Sequence, residues 1–524
     1  MLFNSYIFVF LFFPICLVGY HILREKQATL AKVWLTCFSL WFYGYFHLQY
    51  LIIMVGSILV NYGLYLLLMK CSARKKQQRL YLAFGVALNL SVLFYFKYVD
   101  FLIGNMNYLF GKDWPLLHIM LPLGISFFTF QQISFLADTY RGELKQCSFV
   151  DYALFVSFFP QLIAGPIVTH EEMLPQFANI GKGIPAEVIL RKDNAKAERM
   201  GATFQRKPYG SNLVETRNWT SYTIEGLTLF ILGLSKKVLI ADTFGVAVDY
   251  VYTDVFARNS LESLLVVLFY TLQLYFDFSG YCDMAIGIGK MLGIYIPVNF
   301  NSPYKAVNII DFWKQWHITL NRFFTKNIYI PLGGNRKGSA RMYCNLFLVF
   351  FLSGLWHGAG WNFILWGVMH GILYVLTRMW QNRRKTKKIS CMKKAISVIL
   401  TFGYVNIAWV YFRASSITEA NQIFKNIFAG NFAKPADAFL DAFNLGEFWY
   451  PMKVLHITNL PNSKSYLMIA FIMVTLGIVF FGKNAKTISE NSQRTILNAC
   501  LIAVLFVWCV LSLSGVSTFL YFNF

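Results

Sequence analysis

The sequence predicts an all-α polytopic membrane protein of about eleven to thirteen transmembrane helices, with re-entrant and amphipathic helices besides. Three observations carry this prediction. The 524 residues are 57% hydrophobic and only 14% charged, about half the charge fraction of a soluble domain. Apolar runs long enough to cross a bilayer recur from end to end. Basic residues gather in alternate loops, the pattern that orients membrane helices.

Taken in order, the expected spans are 5–22, 33–46, 50–69, 79–97, 116–137, 223–240, 262–290, 342–356, 359–378, 393–413, 464–482 and 495–519. The first carries no Lys or Arg before Arg24 and Lys26 follow it. It lacks the basic leader and cleavage site of a secretory signal, so it reads as an uncleaved span with the N-terminus outside. Residues 150–168 are apolar too, but "FFPQLIAGPI" contains Pro160, Gly165 and Pro166, which interrupt a helix. A re-entrant or broken element buried in protein is expected there.

The loops agree on orientation. Residues 70–79 hold five basic residues and no acid, and residues 378–394 hold eight and none. The loop 98–115 holds one basic residue and two acidic ones, and 414–463 holds three and four. Positive-inside orientation puts the first two in the cytoplasm, and 414–463 and the C-terminus outside. It also accounts for the net charge of +22, so nucleic acid is not an expected partner; the lipid bilayer is.

One integral membrane domain, 1–524, is expected, interrupted twice. Residues 178–222 are polar and irregular and fall on the cytoplasmic side. Residues 414–463 carry apolar residues at helical spacing ("ANQIFKNIFAGNF"), which predicts short helices on the outer surface where a partner could dock. The nine cysteines are scattered and odd in number, which indicates neither a disulfide framework nor a zinc site. No G-x-S-x-G elbow, phosphate loop or H-E-x-x-H is present, so soluble hydrolase, nucleotide-driven pump and metalloprotease readings have no support.

Ionisable groups within apolar runs are the functional suspects in a membrane protein. "LYFDFSGYCDMAIGIGKMLGI" (274–294) brings Asp277, Ser279 and Asp283 into such a run. They read either as a structural network or as substrate-lining groups. "NIIDFWKQWHITLNRFFTKNIYIPLGG" (308–334) predicts an amphipathic helix at the cytoplasmic interface. Its aromatic face is Phe312, Trp313, Trp316, Leu320 and Phe323; its polar face is Asp311, Lys314, Gln315, Asn321 and Arg322. His317 follows Trp313 by one turn, so both can reach one cavity. "SGLWHGAGWNFILWGVMHG" (353–371) puts His357 at the outer junction of two spans, beside Trp356. Its glycines are expected to leave room for substrate beside a wet imidazole suited to general-base work. His370 lies deeper, as a packing residue or an accessory. "LPLGISFFTFQQISFLADTYRGE" (121–143) carries Gln131, Gln132 and Asp138, read as lining or packing.

Taken together and in order, "MLFNSYIFVFLFFP", "GISFFTFQQISFLADTYRGE", "FFPQLIAGPI", "DFSGYCDMAIGIGKMLG", "FWKQWHITLNRFFTKNIYIPLGGNRKG" and "SGLWHGAGWNFILWG" resemble the membrane-bound O-acyltransferase family. Within it they are similar to the bacterial branch of alginate O-acetyltransferase membrane subunits, which implies a multi-pass protein of the bacterial cytoplasmic membrane. The resemblance implies a ring of membrane helices around a thin core with an inner and an outer funnel. It maps the family's two signature histidines onto His317 and His357, with His357 catalytic. It implies acyl transfer from a cytoplasmic donor, acetyl-CoA or another acyl thioester on CoA or an acyl carrier, to a hydroxyl outside. No bound cofactor or metal is implied. The acceptor is an exported polysaccharide such as alginate, or an extracytoplasmic partner protein that acetylates it. Peptidoglycan or cellulose acetylation, teichoic acid D-alanylation, and a non-catalytic transporter or export scaffold are the alternatives. On this reading Trp313, Trp316 and Trp356 shape the passage, His317 orients the donor with Asn321 among the substrate contacts, and Asp277 and Asp283 hold backbone or imidazoles. Lys314, Arg322, Lys326, Arg336 and Lys337 would attract an anionic donor.

Overall fold

Every regular element among the described residues is a helix. The computed structural model describes residues 1–144, 146–182, 219–383, 390–444, 446–456, 460–491, 495–515 and 519–520. Most of the predicted irregular segment 178–222 therefore lies outside the described residues.

The principal helices are α1 (Phe8–Lys26), α2 (Ala28–Gly44), α3 (Leu48–Lys70), α4 (Lys75–Phe110), α5 (Ile125–Arg141), α6 (Phe149–Ser157), α7 (Phe159–Leu162), α8 (His170–Ala178), α9 (Trp219–Ser235), α10 (Asp242–Thr253), α11 (Ser260–Leu292), α12 (Ile309–Gln315), α13 (Ile318–Phe324), α14 (Ser339–His357), α15 (Trp361–Arg383), α16 (Cys391–Arg413), α17 (Ile417–Phe428), α18 (Ser463–Phe481) and α19 (Ile496–Leu511). Eight are long and apolar enough to cross a membrane: α1, α3, α4, α11, α14, α15, α16 and α18. The other expected spans coincide with shorter helices. That near 33–46 is α2, and that near 495–519 is α19. That near 116–137 starts only at Ile125, after a left-handed Gly124. That near 223–240 is α9 followed by a π-helical turn, Lys236–Ala241. The expected interruption of 150–168 falls at Phe158, between α6 and α7, and α7 and the last six residues of α6 are buried.

The chain divides into two compact units, Met1–Ile231 with Cys282–Pro297, and Leu232–Tyr281 with Val298–Phe524. In the first, α1 and α2 meet through Phe8, Phe12 and Phe42, joined by Phe159 of α7. Several polar side chains inside it are paired, as burial favours. Asn61 and Asn89 exchange amide hydrogen bonds between α3 and α4. Asp138, fully buried, takes Arg141 at 2.8 Å and faces His170 Nδ1 at 3.1 Å. Lys290 meets Glu225 at 3.0 Å. Gln131, Gln132 and Asp138 are thus packing groups of this unit, buried with α5.

In the second unit α14 and α15 form a close antiparallel pair. A Cβ on Gly354 would lie 3.0 Å from Gly367 Cα and 2.5 Å from Phe363 O, so two glycines let the backbones touch. Beside this pair, α12 packs on α15 and α16. Lys237, in the π-helical turn, is 2.7 Å from both Asp242 Oδ1 and Asp277 Oδ1. Asp277 Oδ2 accepts from the Leu520 amide at 3.0 Å, and the Lys237 ammonium lies over the Phe519 ring. The charges are internal, but each has an opposite partner.

Candidate active site

The predicted amphipathic helix over 308–334 is broken in the middle, and the break carries His317. Asn308 starts α12 by accepting from the Asp311 amide at 3.0 Å. The helix stops at Trp316, which is extended, and His317 turns left-handed at φ 46° before α13 begins. A non-glycine residue there occupies a sparsely populated region, at a cost of order 1–3 kcal/mol. Surrounding bonds hold the turn. Asn321 donates its amide to the carbonyls of Trp313 and Trp316, and Asn299 bonds to Ile318 and Thr319. The aromatic face is as expected: Phe312, Trp313, Trp316, Leu320 and Phe323 are all buried.

His357 is the last residue of α14. It is 6% exposed, not wet, and aromatic rings wall it. Trp356 lies at 4.8 Å, Trp366 at 5.1 Å and nearly perpendicular, and Phe412 at 5.1 Å. Nor do the flanking glycines provide empty space. A Cβ on Gly358 would overlap the Phe363 ring, and one on Gly360 would overlap Asn362 Oδ1. These glycines are small because neighbouring side chains close over them, so the expectation of substrate room at those positions is corrected.

His317 is 1% exposed. Its ring lies 4.9 Å from Phe278, edge to face, and 6.4 Å from Trp356. Burial pushes its imidazole down to about 3, so the ring is neutral at physiological pH. Trp366 continues the chain of rings: it touches His357 on one side and His370 at 4.9 Å on the other. His370 is fully buried, and its Nδ1 accepts from Trp313 Nε1 at 3.3 Å. Trp316 stacks on Phe312 and meets Trp409 at 5.0 Å.

Of the residues singled out in the sequence, the second unit brings together His317, His357, Trp313, Trp316 and Trp356 in one aromatic cluster. Asn321 belongs to the scaffold of the break, its amide committed to two carbonyls. Asp277 is committed to Lys237 and Leu520. Asp283 is buried within the first unit. Trp366, Phe412 and Asn299 were not singled out in the sequence. The only signal for Trp366 was its position in the returning helix after the glycine turn; Asn299 gave none.

An imidazole with aromatic walls and a second neutral imidazole one indole away can move a proton while excluding water. Among the described residues no three His, Cys, Asp or Glu side chains gather to hold a metal ion. Lys314, Arg336 and Lys337 are exposed, and Arg322 and Lys326 half-buried.

Comparison with known proteins adds a family match and three relatives. A family model described as the membrane-bound O-acyltransferase family matches residues 28–417, which include both histidines. A peptidoglycan O-acetyltransferase of Helicobacter pylori is 38% identical, over 100% of this chain and 98% of its own length. A probable alginate O-acetylase of Pseudomonas putida is 33% identical over 100% of both chains. A teichoic acid D-alanyltransferase of Bacillus subtilis is 26% identical over 58% of this chain and 73% of its own length.

Proposed function

The chain belongs to the membrane-bound O-acyltransferase family, and from that premise we propose that it O-acetylates a cell-envelope polysaccharide outside the membrane, with His357 as the base. It is an acyltransferase embedded in a membrane by several apolar helices. The observation that carries the proposed site is the buried line of rings from His317 through Trp356 to His357.

In the proposed step, an imidazole nitrogen of His357 takes the proton of the acceptor hydroxyl. The freed oxygen attacks the thioester carbonyl of acetyl-CoA or a related acyl thioester, presented from the cytoplasm. The C–S bond breaks as the new C–O bond forms. The proton passes from His357 to the departing sulfur, which leaves as a thiol. His317, neutral in its buried setting, orients the donor. The aromatic walls keep water from competing for the acyl group.

Peptidoglycan is the first acceptor to test, because the likeness to the Helicobacter pylori enzyme extends over the full length at 38% identity. Alginate is the second reading, favoured by the full-length likeness at 33% identity. Transfer to an extracytoplasmic acetyltransferase, which then modifies the polymer, fits either acceptor. Its docking place would be the segment around α17, where Phe428 and Phe432 are exposed. The deciding experiment is the acetyl content of isolated peptidoglycan and of exopolysaccharide from cells carrying His357→Ala at normal membrane level. Unchanged acetylation in both polymers would sink the reading.

A further inference from the structure

We propose that Asn299 is a positioning residue that fixes the tautomer of His317, placing the proton on Nδ1 and making Nε2 the basic ring nitrogen. The proposal rests on the reading above that His317 serves the transfer.

Asn299 is fully buried in the segment between α11 and α12. Its backbone carbonyl accepts from the Ile318 amide at 3.0 Å. Its side-chain oxygen accepts from the Thr319 amide at 3.1 Å and from Thr319 Oγ1 at 2.9 Å, and lies 3.2 Å from His317 Nδ1. A backbone N–H can only donate, so the side-chain atom facing the Thr319 amide is the oxygen. An amide oxygen can only accept, so the His317 Nδ1 that bonds to it carries a hydrogen. A neutral imidazole has one N–H, which leaves the lone pair on Nε2.

A plain helix cap would explain part of this arrangement. His317 is the N-cap residue of α13 but provides no side-chain cap, and Asn299 supplies one from outside by holding Ile318 and Thr319. A cap, however, requires only the Thr319 and Ile318 bonds. The further contact to Nδ1 ties the imidazole to the same oxygen and gives the left-handed turn at His317 a chemical consequence. The ring is aimed and its protonation site chosen by one side chain, which the sequence places eighteen residues upstream.

The test uses full-length protein labelled with 15N-histidine in lipid bilayers, with His317→Gln identifying the His317 signals by their loss. Wild type is expected to give a protonated Nδ1 and a lone-pair Nε2. Asn299→Ala is expected to mix the tautomers, and Asn299→Asp, which keeps the accepting oxygens, to retain the Nδ1–H form. A wild-type Nε2–H form, or an unchanged His317 spectrum in Asn299→Ala, overturns the proposal. In cells, Asn299→Ala is expected to slow polymer acetylation about 10–100-fold at normal membrane level. Asn299→Asp is expected to recover most of it with an acid limb moved to higher pH, since a carboxylate favours the imidazolium. A pure cap would not move that limb, so an unmoved profile also counts against the proposal. Should His317→Gln leave acetylation intact, the transfer role of His317 falls, and the nitrogen spectra alone decide the tautomer.

Discussion

His317 and His357 lie against the same ring: the Trp356 indole is 6.4 Å from the first imidazole and 4.8 Å from the second. One comes from a break between two short helices and the other from the end of a long one, forty residues apart. A single tryptophan is therefore a neighbour of both imidazoles.

Replacing His357 by Ala is expected to slow acetyl transfer about 100- to 10,000-fold, the range general acid–base groups supply. The measurement is ester-linked acetate released from purified polymer, normalised to membrane protein. A loss below threefold would remove His357 from the chemistry.

His317 titrates at about 3 in the folded chain, against an ordinary value of 6.5, because burial penalises its charged form. The unfolded state then binds the proton more readily between those values. Stability must fall as pH drops from about 6.5 toward 3, and be unaffected by this group above 6.5. His317→Gln should remove one proton's share of that slope. Melting of the detergent-solubilised protein from roughly pH 4, inside that window, to roughly pH 8, above it, checks this, and identical slopes below 6.5 would contradict the assignment.

Lys237 bridges the buried Asp277 and the half-buried Asp242, so Lys237→Met should leave both carboxylates uncompensated. Breaking one side of a buried ionic cluster costs about 3–5 kcal/mol. Adding Asp277→Asn should restore part of the loss, because one of the two stranded charges disappears. Thermal midpoints of the three proteins test this, with the order wild type, double variant, single variant expected.

Gly354→Ala would force a methyl group against Gly367 and the Phe363 carbonyl. Overpacking of that kind costs about 1–3 kcal/mol. His357 sits three residues further along the same helix, so acetylation should fall as well as the melting temperature. Gly403→Ala, where a Cβ meets nothing within 4 Å, is the control and should change neither.

The positions of the membrane helices were legible because a bilayer demands apolar length, and apolar length is visible in a string of residues. The interruption near Pro160 was legible for a similar reason, since proline removes a helical donor wherever it stands. The two histidines were legible as suspects, because an ionisable ring in an oily run needs a reason to be there. The break at His317 was not. Periodicity through 308–334 is continuous, and nothing local marks Trp316 as the end of a helix. The turn is held by Asn299, from outside the segment, and by Asn321, whose amide bonds back to the Trp316 carbonyl instead of facing water.

What the sequence alone determined is the solvent: a helical chain threaded through lipid, with His317 and His357 as its candidate reactive groups. What only the tertiary structure decided is what those groups face. Asp277 and Asn321 looked equally available along the chain, yet one is spent on Lys237 and the other on helix carbonyls. Trp366, unremarked in the sequence, became a wall of the site. The physical reason is that burial penalises an unpartnered polar atom, and which partner lies nearest depends on packing between segments far apart in the chain.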